Sequence, residues 1–320
     1  MKKNILVTGG AGFIGSNLIQ KLDLNFFNIF VVDNFDNFYS IKIKKKNIST
    51  FDKSIQLITG DITDTTFLRD LFSKHKIDII IHLAAKAGVR PSLIDSQGFF
   101  NTNVFGTLQI LEIMKDFGIN KIIIASSSSV YGNNVKVPYC ETDNVDNPIS
   151  IYAATKKTCE LISYTFHQLY NLDVINLRFF TVYGPGQRPD LAIHKFFKKI
   201  YLNEPIDFYG NGDTKRDYTF IDDIVDGIIN SIKYIQNNND VYEILNLGNT
   251  NPISLKDLTQ KIEKITEKNF IYNYMPMQLG DVSITYSDIT KAKNLINYSP
   301  KIAIDQGLYM FNNWFKNNNL

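Results

Sequence analysis

Cysteine is nearly absent from this chain: Cys140 and Cys159 are the only two among 320 residues. They match no metal-ligand spacing and build no disulfide framework, so the expectation is a reducing compartment, the cytoplasm by default, with no bound metal. Charge of one sign is also missing. The 34 basic and 32 acidic residues leave a formal +2, which argues for neither a nucleic-acid nor an anionic-membrane partner. No apolar run approaches membrane-spanning length, and the one that follows the basic start of "MKKNILVTGG" is far too short for a signal peptide. No internal repeat is found. With 44% hydrophobic residues the chain can still bury a substantial core, which excludes disorder and suits one large domain or two fused ones. The basic cluster Lys42 to Lys46, in "IKIKKK", reads as a solvated loop or helix face, and the Asn-rich "IQNNND" and "KNNNL" as a turn and a frayed end.

What is present begins at the N-terminus. "NILVTGGAGFIGSNLIQKL" joins the apolar run Ile5 to Val7 to Gly9, Gly12 and Gly15, then to helical spacing at Ile14, Leu18, Ile19 and Leu22. This predicts strand, tight turn and helix. Glycines there let backbone approach a pyrophosphate, and the helix N-terminus offers it free N–H groups. "NIFVVDNF" predicts a second strand that ends in Asp33, about twenty residues beyond the glycines, where a carboxylate can accept the adenosine-ribose hydroxyls. Asp33 would repel a 2′-phosphate and Asn34 is no compensating arginine, so the expected cofactor is NAD. "SIQLITGDITD", "IDIIIHLAA" and "INKIIIASSSS" read as further buried strands that alternate with helices, which predicts a Rossmann-type α/β fold with a doubly wound parallel sheet. Ligands collect at the carboxyl ends of such strands. His82, at an apolar strand end, is expected to be packed rather than catalytic.

After Pro148, "SIYAATKKTCELISYTFHQLY" has helical periodicity at Ile151, Ala154, Leu161, Ile162, Tyr164 and Leu169, so Tyr152 and Lys156 lie one turn apart on one face. A free phenol has a pKa near 10, and a neighbouring ammonium favours the phenolate. Tyr152 can then take a proton from an alcohol while a serine of the preceding "SSSSVYG" turn holds the same oxygen.

In order along the chain, the glycine fingerprint, "HLAA", "SSSSVYG", "YAATK", "LRFFTVYGP" and "RDYTFIDDI" resemble the extended short-chain dehydrogenases/reductases, in particular the nucleotide-sugar epimerase group. The resemblance implies an NAD domain over residues 1–176, with returning segments near 218–248. It assigns 177–217 and 249–320 to a smaller α/β lobe that grips the nucleotide sugar. It further implies that Ser127, Tyr152 and Lys156 are catalytic. Besides the glycines, Phe13, Ile14, Asp33, Asn34, Asp61, Ile62, Leu83, Ala84, Ala85, Lys86, Asn103 and Phe180 would contact the cofactor, as would Tyr152 and Lys156. Ser127, Ser128, Tyr152, Thr181, Arg216 and Gln278 would meet the substrate, Gln278 standing where many relatives carry an arginine. A guanidinium at Arg216 suits a diphosphate clamp, against a surface pair with Asp213 or Asp217. A homodimer is implied too, through the helix that carries Tyr152 and one around Thr107 to Phe117, with apolar residues such as Phe166 and Leu169 in excess of what one face buries.

Members of this group share oxidation at C4 of the sugar and diverge by what stands beside the serine. Dehydratases place an acid and a base there, decarboxylases a glutamate. Here Ser128 and Ser129 follow Ser127, and neither offers a carboxyl, so the 4-keto sugar is expected to be reduced again on the other face. "HLAAKAGVRPS" and "FFTVYGPGQRPDLAIHKF" most resemble the UDP-glucuronate 4-epimerase branch. By that likeness Arg188 meets the sugar carboxylate and Arg90 is a second cation of the crevice. The competing reading of Arg188 is a structural pair with Asp190. Lys86 and Gly186 depart from the pattern, where glutamine and a bulkier residue are common. UDP-glucose or UDP-N-acetylglucosamine remain alternative substrates. A non-catalytic NAD-binding sensor or scaffold is the alternative of another class.

Overall fold

The computed structural model describes residues 2–277 and 282–319. It opens with β1 (Lys3–Thr8), α1 (Phe13–Lys21), β2 (Phe27–Asp33), α2 (Ile41–Ile48), β3 (Gln56–Thr59), α3 (Thr65–Lys74) and β4 (Ile79–His82). Two short helices follow, α4 (Val89–Ile94) and α5 (Ser96–Phe99), and a π-helical stretch over Phe100–Phe105 leads into α6 (Gly106–Phe117). Next come β5 (Lys121–Ser127), α7 (Ile151–Tyr170) and β6 (Asp173–Phe179). The remainder holds β7 (Thr181–Tyr183), α8 (Ala192–Leu202), β8 (Ile206–Tyr209), β9 (Lys215–Phe220), α9 (Ile221–Asn237) and β10 (Tyr242–Leu247). It ends with β11 (Pro252–Ser254), α10 (Leu255–Thr266), β12 (Tyr272–Met275), α11 (Thr290–Ile296) and α12 (Ile304–Asn319).

Seven strands form one sheet in the order β10-β6-β5-β4-β1-β2-β3, and every pairing in it is parallel. The chain order reverses between β1 and β4, which opens a crevice at their carboxyl ends. Helices cover both faces, so β4 and β6 are buried along their whole length, Asp173, Asn176 and Arg178 of β6 included. Ile5, Val7, Ile123 and Ile175 pack on one face of the sheet, and Leu6, Ile80, Ile122 and Val174 on the other. β3 departs from the expected buried strand: it is the sheet edge, and Leu57 stays 40% exposed.

Two small sheets, β11-β9-β7 and β12-β8, make up the second lobe together with α8, α10 and α12. Ser254 starts α10 with a capping box closed by Asp257. Asp173–Phe179 is one continuous strand of the large sheet, so a division at 176 cuts it; we propose to place the boundary after Phe180. Of "KNNNL", Lys316 to Asn319 belong to the last turn of α12, and Leu320 lies outside the described residues.

α7 forms where the periodicity puts it, with Ser150 accepting a hydrogen bond from Ala153 N, but its faces are exchanged. Thr155, Lys156, Glu160 and Ser163 turn inward, while Leu161, Tyr164 and Leu169 are exposed. Phe166, expected in the surplus apolar face, is 6% exposed and belongs to the core.

Candidate active site

The crevice at the strand ends is a cavity of ≈ 480 Å³, within the range of small-molecule sites. Its first wall is the turn between β1 and α1. Gly9 has φ +72°, and a Cβ there would stand 2.7 Å from Ala84 N; at Gly15 it would stand 2.5 Å from Gly9 O. Only glycine permits this packing. Gly12 precedes α1 without a side-chain cap, so the first N–H groups of the helix face the cavity that Gly12, Phe13 and Ile14 line.

At the adenosine end, Asp33 is 6% exposed. Its oxygens accept from Ala11 N at 3.0 Å and Phe35 N at 2.8 Å, and Lys44 Nζ lies 3.4 Å away. Lys44 corrects the reading of the basic cluster as solvated: it is 7% exposed and lines the cavity. Nothing in a run of lysines distinguishes the one that turns inward. The Tyr39 hydroxyl also borders the cavity, buried and without a hydrogen-bond partner among the described residues. A glycine cradle, a helix N-terminus, a ribose-reading carboxylate and an orphaned hydroxyl together fit a dinucleotide.

Asn34 and Ile62 line the cavity, whereas Asp61 does not. Asp61 is a brace that accepts from Asn34 Nδ2 and Thr63 N, each at 2.8 Å. Leu83, Ala84, Ala85 and Lys86 line the next wall. Asn103 holds that wall from behind rather than facing the cavity: Oδ1 accepts from Lys86 N at 2.8 Å and Nδ2 donates to Lys86 O at 3.0 Å. Lys86 Nζ is paired with Asp95 at 2.6 Å. His82 is packed as expected. It lies between the Thr8 and Thr107 hydroxyls at 2.8 and 3.0 Å, and burial, reinforced by the Lys156 charge, lowers its pKa to about 3.

Tyr152, Lys156, Ser127 and Ser128 all line the cavity, with Phe180 and Thr181 from the β6–β7 connection. Lys156 is buried and donates to Ala125 O at 2.7 Å. Ser92 Oγ accepts from Tyr152 N at 3.1 Å, and the Phe99 ring meets the phenol edge-on. Ser127 caps the short turn after β5 by accepting from Ser129 N at 3.1 Å. A phenol, an ammonium and a hydroxyl thus share one wall of a dinucleotide pocket.

Arg188 is where it was expected, but Arg90 and Arg216 are not. Arg188 lines the cavity, and its fork is bound to Asp190 at 2.9 and 2.7 Å, with Ala87 O at 3.3 Å and the Phe38 ring beneath it. Arg90 does not reach the crevice: it is exposed and lies over the Tyr209 ring, 5.1 Å from its centroid. Arg216 also lies outside the cavity lining, on β9, and donates to Lys215 O. Asp217, one of the partners weighed for Arg216, is taken by the N–H groups of Asn249, Thr250 and Ser287 and by the Ser287 hydroxyl. Gln278 lies outside the described residues. Among the described residues no cluster of His, Cys, Asp and Glu could hold a metal ion.

A doubly wound sheet with a glycine turn, and a Tyr-x-x-x-Lys pair opposite a serine turn, define a dehydrogenase/reductase of the short-chain class, in its extended form. The chain belongs to the family described as GDP-mannose 4,6 dehydratase, which it matches over residues 6–311. It is 43% identical over 316 residues to the UDP-glucuronate 4-epimerase of Thermodesulfobacterium geofontis, covering 98% of this chain and 96% of that one. The Bacillus cereus UDP-glucuronic acid 4-epimerase, solved with UDP-glucuronic acid and NAD, superposes with a TM-score of 0.92 at 34% identity, over 98% and 99% of the two chains. A UDP-glucose 4-epimerase of Thermotoga maritima gives 0.89 at 31% identity, over 98% and 99%.

Proposed function

We propose that the protein is an NAD-dependent 4-epimerase of a UDP-sugar, and that the sugar is UDP-glucuronate, converted to UDP-galacturonate. One observation carries the reaction type. Among the described residues that line the cavity, the only carboxylates are Asp33, which ends β2, and Asp36 just beyond it, both at the adenosine end. Beside Tyr152 the described lining offers hydroxyls and the Lys156 ammonium but no carboxylate. An oxidised C4 therefore meets no acid or base for elimination and no carboxylate to assist decarboxylation, and its one outlet is reduction.

Gly9, Gly12, Asp33 and the Leu83–Ala85 wall would hold NAD, which would supply a reversible hydride acceptor for C4. The chain's own residues handle the proton. Tyr152 takes it from the C4 hydroxyl, Ser127 holds that oxygen, and the buried Lys156 sets its ammonium on the same wall. Thr181, which lines the cavity, meets the diphosphate, and the sugar turns about it before the proton returns. Arg188 exchanges Asp190 for the C6 carboxylate, a bidentate match for the same fork.

The Arg188–Asp190 pair also favours a second reading, because a guanidinium already satisfied leaves a pocket suited to a neutral sugar such as UDP-glucose or UDP-N-acetylglucosamine. Proton NMR of the purified protein with each of the three sugars, without added NAD, decides between them. The uronate reading expects C4 inversion of UDP-glucuronate alone, conversion of only a neutral sugar would make Arg188 structural, and no conversion at all would favour the sensor alternative. The enzyme works as a homodimer in a reducing cytoplasm; supporting this are the exposed apolar residues of α7 and α6 and two free cysteines.

A further inference from the structure

Directly behind the serine turn lies a charge pair withdrawn from water. Glu160 and Arg178 are each 1% exposed. Arg178 Nε donates to Glu160 Oε1 at 2.9 Å and Nη2 to Oε2 at 2.8 Å, while Oε1 also accepts from Ser126 Oγ at 2.6 Å. The remaining arm, Nη1, donates to Tyr131 Oη at 3.0 Å, and Tyr131 Oη in turn donates to Asn246 Oδ1 at 2.7 Å. Five elements are tied at one point: α7, β5, β6, the turn after Ser127 and β10. A buried pair of this kind is no gain in stability over apolar side chains of the same volume.

Its placement is what sets it apart. Lys156 fastens α7 to Ala125 O, and Glu160, one helical turn on, fastens it to Ser126, the next residue of β5. Ser127 follows immediately, and Tyr152 lies one turn before Lys156. We propose that the Glu160–Arg178 pair is a positioning device for the base: it fixes α7 in register with β5, so that Tyr152 and Ser127 meet one oxygen, and it keeps the Glu160 charge from opposing Lys156. This rests on Tyr152 being the base.

The tyrosines that touch this pair, and His82 and Cys159 nearby, are shifted away from neutral pH. His82 faces Lys156 from β4 and stays neutral, and burial keeps the Cys159 thiol protonated on α7 itself. Tyr131, and Tyr242 of β10, which donates to Glu160 O at 2.9 Å, are pushed upward by burial. Glu141, which accepts from Asn246 N, lies beyond that residue and is also raised by burial.

The test is the pH profile of kcat for C4 inversion, with bound NAD counted by absorbance after denaturation. Ser126→Ala is too small a change to prevent folding and should cut kcat by about three- to tenfold with KM and NAD content unchanged. The doubly apolar Glu160→Met, Arg178→Leu should keep NAD and lose at least about tenfold in kcat. Glu160→Gln leaves Arg178 to reinforce Lys156, so the acid limb of the profile should move down by roughly one pH unit. Wild-type kcat and an unmoved acid limb in these variants would overturn the proposal. Tyr152→Phe runs alongside: if it still inverts C4, the base assignment itself has failed and this proposal with it; if it is inactive while the others match wild type, only the positioning role is lost.

Discussion

Arg188 separates two accounts of the site with one side chain. Removing its charge-assisted bonds should cost about 1.5 to 3 kcal/mol of uronate binding, so Arg188→Ala should raise KM for UDP-glucuronate by roughly 10- to 150-fold while bound NAD is retained. Asp190→Asn should do the opposite, because it releases the fork that Asp190 now holds at 2.7 Å; lower affinity in that variant would place Asp190 in the substrate site instead. His82 makes a prediction for stability. Its folded pKa, about 3 against 6.5 for a free imidazole, means that the unfolded chain binds a proton there which the folded one refuses. Stability therefore falls as pH drops below about 6.5 and goes on falling towards pH 3, by up to about 4 kcal/mol for this group. Melting temperatures between pH 7 and 4 should drop less steeply in His82→Gln than in wild type. Of the site residues, Tyr152, Lys156 and Ser127 were legible because type and spacing carry their chemistry. Lys44 and Tyr39 were not, since burial of one lysine in a basic run, or of one phenol in a loop, leaves no mark on the sequence.

Among the elements, β1, β2, β4 and β5 could be read because parallel strands covered on both faces must be continuous apolar runs. β3, Gln-Leu-Ile-Thr, was read with them, yet an edge position leaves Leu57 in solvent, and strand order is set by packing that no local pattern records. α7 teaches more. Its periodicity is helical, but the side facing the protein is the polar one, because Lys156 and Glu160 have partners on β5 and β6. The apolar stripe is left outside, with Leu161 54%, Tyr164 48% and Leu169 64% exposed. Phe105 and Phe117, at 41% and 38%, add to it from α6 and the turn before it. Such a stripe calls for a cover, and a second copy of the same surface supplies one with two-fold symmetry. Light scattering should give the mass of a dimer for wild type and of a monomer for Leu161→Glu with Leu169→Glu; an unchanged mass would move the interface elsewhere.

At the scale of the molecule, the large sheet and the small lobe bring together residues far apart in the chain: Gly12 from the first turn, Ser127 and Tyr152 from the middle, Thr181 and Arg188 from the connection to the second lobe. The fold class follows from the alternation of strands and helices, whereas the closing of Arg188 over Phe38 and onto Ala87 is a tertiary event. The central claim is that C4 is inverted by giving up a hydride and receiving the same one back. UDP-glucuronate carrying deuterium at C4, incubated in ordinary water with the protein as purified and no added NAD, tests it directly. The account predicts UDP-galacturonate with the deuterium still on C4. Product in which C4 carries hydrogen from the solvent would contradict it, because the configuration would then have changed through loss of a proton and not of a hydride.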